Sequence, residues 1–268
     1  MQDNLRGSLW MIAAMAGFAV EDALIKQAST GLPVGEIMAI FGLGGWIGFL
    51  LLTWRRGQRA LTPDLLRPTL LLRAGTEIFG RLFFTLSLAY STLAATSSIL
   101  QATPLAVTLG AALFFGEKVG LRRLIAICFG FSGVLVVVQP WGTEFHPSIF
   151  FSLAGLMCAS LYFIMTRLLA GVEANSTQQI WGSGTAVLCL LPFSLQEWVW
   201  PDTTQSWIVF FMIGAFGFSG HAIATLAHRW ADASLLAPVV YIQVFLASLA
   251  GVLVFDTWPT IWTLVGGA

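Results

Sequence analysis

The feature that most constrains this chain is how rarely charge interrupts it. Stretches free of Asp, Glu, Lys and Arg run over Gly7–Val20, Ile37–Trp54, Leu82–Gly116, Leu124–Thr143, Phe145–Thr166, Ala174–Gln196, Thr203–His228 and Ala233–Phe255, and Thr257–Ala268 closes the chain. A membrane helix needs roughly 20 apolar residues at a rise of about 1.5 Å each, and most of these runs reach or approach that length. Barrel strands would show short alternating segments, and these runs do not alternate. Charged residues make up only 10% of the chain, against about 25% in a soluble domain, so a normal wet surface is out of reach. The 57% hydrophobic content excludes a disordered chain. Thirteen Lys+Arg balance thirteen Asp+Glu, which leaves no basic footprint for nucleic acid. Cys128, Cys158 and Cys189 are scattered through apolar runs and form no disulfide framework.

The run from Leu82 to Gly116 is too long for one helix and divides near Ser91-Thr92. Its first half joins Arg67–Arg81 in a span that carries charge. The pattern predicts an all-α polytopic membrane protein with ten transmembrane helices, over 6–27, 34–54, 68–89, 93–116, 121–138, 148–169, 176–195, 205–227, 232–254 and 258 onward. Little is left for a soluble domain. Arg6, the apolar run Gly7–Val20 and Ala14-Met15-Ala16 have features of a signal peptide, but the small-residue site falls too early and the helical pattern continues to Lys26. With a cytoplasmic N-terminus, the inner side receives Arg6, Arg55, Arg56, Arg59, Arg67, Lys118, Arg122, Arg123, Arg167 and Arg229, and the outer side Lys26 alone. That bias sets the expected orientation. Trp141, Trp198, Trp200 and Trp258 then form an outer aromatic belt, with Leu195–Trp207 lying along that interface.

The chain also repeats itself. Leu88–Leu100, leading to Phe114-Phe-Gly-Glu117, resembles Ala227–Ala237, leading to Leu253-Val-Phe-Asp256. Each reads as a helix end, a turn of small residues, an apolar helix and an acidic exit. Glu117 and Asp256 are 139 positions apart, and Lys26 and Arg167 are 141 apart. The expected organisation is therefore a five-helix repeat over 1–140 and a second over 141–268. Five is odd, so the second copy must be inverted, and inverted repeats mark secondary transporters with a site near the midplane between the copies. On this spacing the tenth helix reads as cut short.

Phe114-Phe-Gly-Glu-Lys118, Gly130-Phe-Ser-Gly-Val-Leu135 and Pro140 resemble the first-repeat ending of the drug/metabolite transporter superfamily, in its EamA-type branch. Ala233-Ser-Leu-Leu-Ala-Pro-Val-Val-Tyr241 with Phe255-Asp256 resembles the matching second-repeat segment. The resemblance covers essentially the whole chain. It implies two inverted five-helix repeats around a central cavity and the transport of small metabolites. Phe255-Asp256 stands where the family has Gly-Glu, so the acid is kept and the glycine is not. These motifs mark the fold rather than the cargo.

Ionisable groups inside a bilayer are costly and default to functional candidates. Arg73, Glu77 and Arg81 follow at intervals of four on the third span and share one helix face. Glu77–Arg81 is expected to form a buried pair that braces the helix or meets a zwitterionic cargo, with Arg73 reaching the cytoplasmic interface. Glu21 and Asp22 lie in the outer half of the first span, where one of them facing the cavity would suit proton coupling; Lys26 is expected to pair with Asp22. His221 borders a stripe of Gly214, Gly217 and Gly220, the spacing of close helix packing, as is that of Gly44 and Gly48. It bonds a neighbouring helix or contacts cargo. Pro104 and Pro238 break the fourth and ninth helices and are candidate kinks for gating. Gln101, Ser97 and Ser98 lie near the first kink, Tyr241 and Gln243 near the second, and Tyr162 and Ser160 in the sixth span. Phe18, Phe83 and Trp181 are candidate aromatic walls.

No nucleophile elbow, phosphate loop, dinucleotide fingerprint or metal-ligand spacing is present, so no catalytic residue, cofactor or metal is expected. The chain is expected to be a bacterial inner-membrane secondary transporter, a monomer in the lipid bilayer, working by alternating access on a small-molecule substrate, with protons as a coupling ion. Family analogy favours export of amino acids, aromatic or apolar ones included. The alternative within transport is uptake of a vitamin or nucleotide-like metabolite such as riboflavin or S-adenosylmethionine. The alternative outside it is a polytopic membrane enzyme or a channel.

Overall fold

The computed structural model describes all residues except 1, 58–67, 116–119, 139–146, 170–174, 228, 232–235, 237–238 and 268, and leaves some helical side chains, including those of Arg167 and Trp181, outside the description. Glu117, Lys118, Trp141, His228 and Pro238 therefore lie outside the described residues. The regular structure that is described is helical. It comprises α1 (Gln2–Ala28), α2 (Val34–Arg55), α3 (Pro68–Tyr90), α4 (Leu93–Leu100), α5 (Thr103–Phe115), α6 (Leu121–Val138), α7 (Ile149–Leu169), α8 (Asn175–Ser194), α9 (Thr204–Ala227), α10 (Ile242–Phe255) and α11 (Ile261–Gly267).

Among the described residues, five stretches are long and apolar enough to cross a membrane: Asn4–Ala28, Val34–Arg55, Leu93–Gly110, Ile149–Thr166 and Thr204–Ala227. α3 has the length but holds Arg73, Glu77 and Arg81. The side-chain pattern explains why a bilayer is the natural solvent. Phe129 and Leu113 point outward, 78% and 76% exposed, while Glu21, Glu36 and Arg73 are almost wholly buried. Apolar groups facing lipid and polar groups facing protein is the arrangement a hydrocarbon solvent selects.

Packing brings distant segments together. α1 lies on α9, α3 on α7 and α2 on α8. Small residues let the backbones approach. Gly44 of α2 meets the backbone of Gly214 of α9, Gly217 receives the ring of Phe41, and Gly220 that of Phe18. The segment between α8 and α9 carries a ladder of rings, with Trp198 5.8 Å from Trp200 and 6.1 Å from Phe210 of α9. Glu36 of α2 anchors this segment by accepting the Val199 N–H at 3.0 Å.

Two helices differ from the sequence pattern. The expected helix over 93–116 is two, broken at Gln101-Ala102. Pro104 has no N–H for the Leu100 carbonyl, and the Thr103 hydroxyl donates to that carbonyl instead, at 2.5 Å. The expected helix over 232–254 is interrupted by a turn at Tyr241: Leu236, Val239 and Val240 are helical before it, and α10 begins at Ile242 after it. The Val244 N–H bonds Tyr241 rather than Val240, and the freed Val240 carbonyl accepts from Gln101 Nε2 at 3.1 Å. The two breaks therefore touch. Thr103 and Ile242, which open α5 and α10, are 139 positions apart. At the other end of α10, Asp256 (φ 51°) takes the left-handed backbone that usually calls for glycine.

Lys26 also departs from expectation. It does not pair with Asp22. Its ammonium donates to the carbonyls of Leu88 and Ser91, at 3.0 and 2.6 Å, where α3 ends and carbonyls lack helical partners.

Candidate functional site

α3 turns its charged face inward, and the two guanidiniums on it meet different surroundings. Arg73 is wholly buried. Its Nη1 lies 3.2 Å from Glu77 Oε2. Its Nε donates to Thr166 Oγ1 at 2.9 Å and its Nη2 to the Tyr162 hydroxyl at 2.8 Å, both on α7. The guanidinium also sits 4.5 Å from the centre of the Tyr162 ring. The Glu77 carboxylate also rests against Gly182 of α8, Oε2 lying nearest to it.

Arg81, two turns further along, reaches across to α1 and α9. Its Nη2 donates to His221 Nε2 at 2.8 Å. A guanidinium has only donors, so Nε2 must accept and the ring proton sits on Nδ1. Its Nη1 is 3.5 Å from Glu21 Oε1, and its charge lies 3.9 Å from the Phe41 ring centre. Phe18 meets His221 edge-on at 4.9 Å. Neither carboxylate oxygen of Glu21 has a hydrogen-bond partner among the described residues. Asp22 faces α10 and accepts from Gln243 Nε2 at 2.9 Å.

Beside these groups lies a cavity of about 200 Å³. Glu77, Arg81, Tyr162 and His221 supply its polar wall, and Phe84 and Phe163 its aromatic one. Gly80, Gly155 and Ala159 make the room.

The structure brings Glu77, Arg81, Tyr162 and His221 together at this cavity, with Glu21 behind Arg81. Gln101 and Gln243 are engaged in bonds between helices, and Tyr241 is 42% exposed, away from it. Pro104 stands at the first helix break. Two sequence expectations are corrected. Glu77 pairs with Arg73 rather than Arg81, because Glu21 on α1 draws Arg81 sideways. Arg73 does not extend to the surface of the bundle, because Tyr162 and Thr166 hold it inside. Spacing could not have chosen, since Arg73–Glu77 and Glu77–Arg81 are separated alike. Gly182, Thr166, Phe84 and Phe163 carried no sequence signal, being ordinary residues of apolar helices.

A protein-family model matches residues 5–139 and again 146–268, and its description is the EamA-like transporter family. The chain belongs to this family. It is part of the drug/metabolite transporter superfamily, and the protein is a polytopic membrane transporter. It is similar to a riboflavin transporter of Vibrio cholerae, 26% identical over 262 residues that cover 95% of this chain and 87% of that one. An S-adenosylmethionine uptake transporter of Rickettsia prowazekii is 21% identical, with 99% and 90% covered. The pseudopaline exporter CntI of Pseudomonas aeruginosa is 26% identical, with 97% and 92% covered. A crystal structure covering 97% of this chain and 94% of its own shares the fold at a TM-score of 0.64 and 20% identity. The riboflavin, S-adenosylmethionine and pseudopaline relatives are named as transporters or exporters, one for uptake and one for export.

Proposed function

We propose that this protein is a secondary transporter of the bacterial inner membrane, N-terminus inside, that moves a metabolite of amino-acid size by alternating access. The observation that carries this is the partly open cavity between α3, α7 and α9, where charged groups and aromatic rings face one space. Its size argues for the cargo. Pockets for drug-sized ligands measure about 300–1,000 Å³, and this one measures about 200 Å³. An amino acid with an aromatic or apolar side chain suits that volume better than a flavin. Export of amino acids is therefore the first reading. Uptake of a vitamin or nucleotide-like compound is the second, favoured by the names of the riboflavin and S-adenosylmethionine relatives.

The moving parts in this reading are two inverted five-helix repeats. The doubled family match supports them, as do the helix breaks 139 positions apart and the crossed pairing of α1 with α9 and α3 with α7. The breaks near Pro104 and Tyr241 serve as hinges. A proton is the coupling ion, carried by Glu21 or Asp22. The groups facing these carboxylates are Arg81 and Gln243, and Lys26 is engaged elsewhere. The unit is a monomer.

The test is counterflow in proteoliposomes loaded with labelled amino acids, with riboflavin and S-adenosylmethionine as parallel cargoes. Saturable flux of an amino acid, accelerated by the same compound outside, supports the first reading. Acceleration by riboflavin or S-adenosylmethionine alone moves the assignment to the second, and non-saturable leak points to a channel. Glu21→Gln and Asp22→Asn should abolish stimulation by a pH gradient; intact stimulation in both removes the proton.

A further inference from the structure

We infer that Glu77 binds a cationic group of the cargo, an ammonium or its equivalent, with its carboxylate aimed by Arg73 and Gly182. This rests on reading the cavity as the transport site. The argument begins with which charged atoms remain to be used. Arg81 lines the cavity, but its two terminal nitrogens face His221 and Glu21. Glu77 also lines the cavity, and among the described residues only its Oε2 is bonded, to Arg73. Oε1 is thus the charged atom left to a ligand. The rings of Tyr162, Phe84 and Phe163 around the same space favour a cation over a second anion.

Gly182 is what lets the carboxylate stand there. A methyl group on Gly182 would overlap the Glu77 carboxylate, and the nearest atoms it would meet all belong to that carboxylate. The tip of a flexible side chain yields before a helix does. Arg73 cannot follow it, because Thr166 and Tyr162 hold the guanidinium from α7. A side chain at position 182 therefore disturbs the aim of Glu77 while leaving the bundle packed. Gly182 and Arg73 are positioning residues, and Glu77 is the group that touches cargo.

The experiment uses the full protein in proteoliposomes, with labelled L-phenylalanine as the probe. The competitors are phenethylamine, which keeps the cation and lacks the carboxylate, and N-acetyl-L-phenylalanine, which has lost the cation. Phenethylamine should compete at least about tenfold better than the acetylated compound. Gly182→Ala should raise KM about tenfold with little change in maximal rate. Adding Glu77→Asp, one methylene shorter, should recover most of that loss, a rescue that a simple folding defect would not show. Equal competition by the two analogues overturns the cation site. An unchanged KM in Gly182→Ala, or no recovery in the double variant, overturns the role of Gly182. If riboflavin undergoes counterflow and no amine inhibits it, the transporter reading survives and this inference fails. If no cargo shows saturable flux, both fail together.

Discussion

Arg73 and Arg81 lie two turns apart on one helix, yet the protein treats them as different kinds of charge. Arg73 is enclosed, with a carboxylate, a hydroxyl and a phenol each taking one of its nitrogens at 3.2 Å or less. Arg81 is 24% exposed, keeps a looser 3.5 Å pairing with Glu21, and shares its charge with a neutral imidazole. A buried ion is tolerated only when its donors are met. The first cluster satisfies that condition and works as a brace between α3 and α7. The second does not satisfy it, since Glu21 is left without a hydrogen bond. Groups held this loosely beside a cavity can exchange partners as cargo arrives or the bundle rocks, and that difference separates a braced arginine from an exchangeable one within a single helix.

The sharpest way to break this comparison is Arg73→Met. It should cost about 3–5 kcal/mol by leaving Glu77 unpaired inside the bundle, read as a large drop in Tm or in the yield of monodisperse protein in detergent. A Tm near wild type would show that Arg73 is not a brace. Tyr162→Phe removes one partner of the same guanidinium and should cost about 1.5–3 kcal/mol, the range for hydrogen bonds to charged groups. The same thermal unfolding measures it. Arg81→Met should lower stability less, by about 1–3 kcal/mol, because the buried Glu21 loses a counter-charge that it holds only at 3.5 Å and without a hydrogen bond, yet it should abolish counterflow. Stability loss as large as that of Arg73→Met would erase the contrast. His221→Asn keeps an acceptor for Arg81 and should leave Tm within about 0.5 kcal/mol of wild type, its effect confined to KM. A fall in maximal rate with KM unchanged would assign His221 to the moving parts rather than the site.

Much of the fold was legible because a bilayer imposes simple rules. Charge-free runs of the right length became helices, and most boundaries lie within a few residues of the pattern, as with Thr204–Ala227 against 205–227. The glycines at 214, 217 and 220 read correctly as a packing stripe, since only small residues permit that approach. The two broken helices were half legible. Proline marked the first break, but the capping of Val240 by Gln101 joins residues 139 positions apart, and no local pattern encodes it.

The candidate site was legible in residue type and less so in partnership. Glu21, Asp22, Glu77 and Arg81 named themselves, because hydrocarbon makes every buried charge expensive, whereas the buried Glu36 carried no signal and Arg73 was expected at the interface. The pairings did not name themselves. Equal spacing along α3 offers Glu77 two arginines, and only the arrival of α1 and α7 decides which it takes. Gly182 shows the same limit from the other side. Nothing in its neighbours marks it, and its importance comes from α8 passing beside Glu77. Sequence alone determined that the chain enters a membrane, where its helices run and which side chains bear charge, because these follow from solvent and local geometry. Tertiary structure alone decided which charges are braced and which face the cavity, because an ion's partners are set by the helices packed around it.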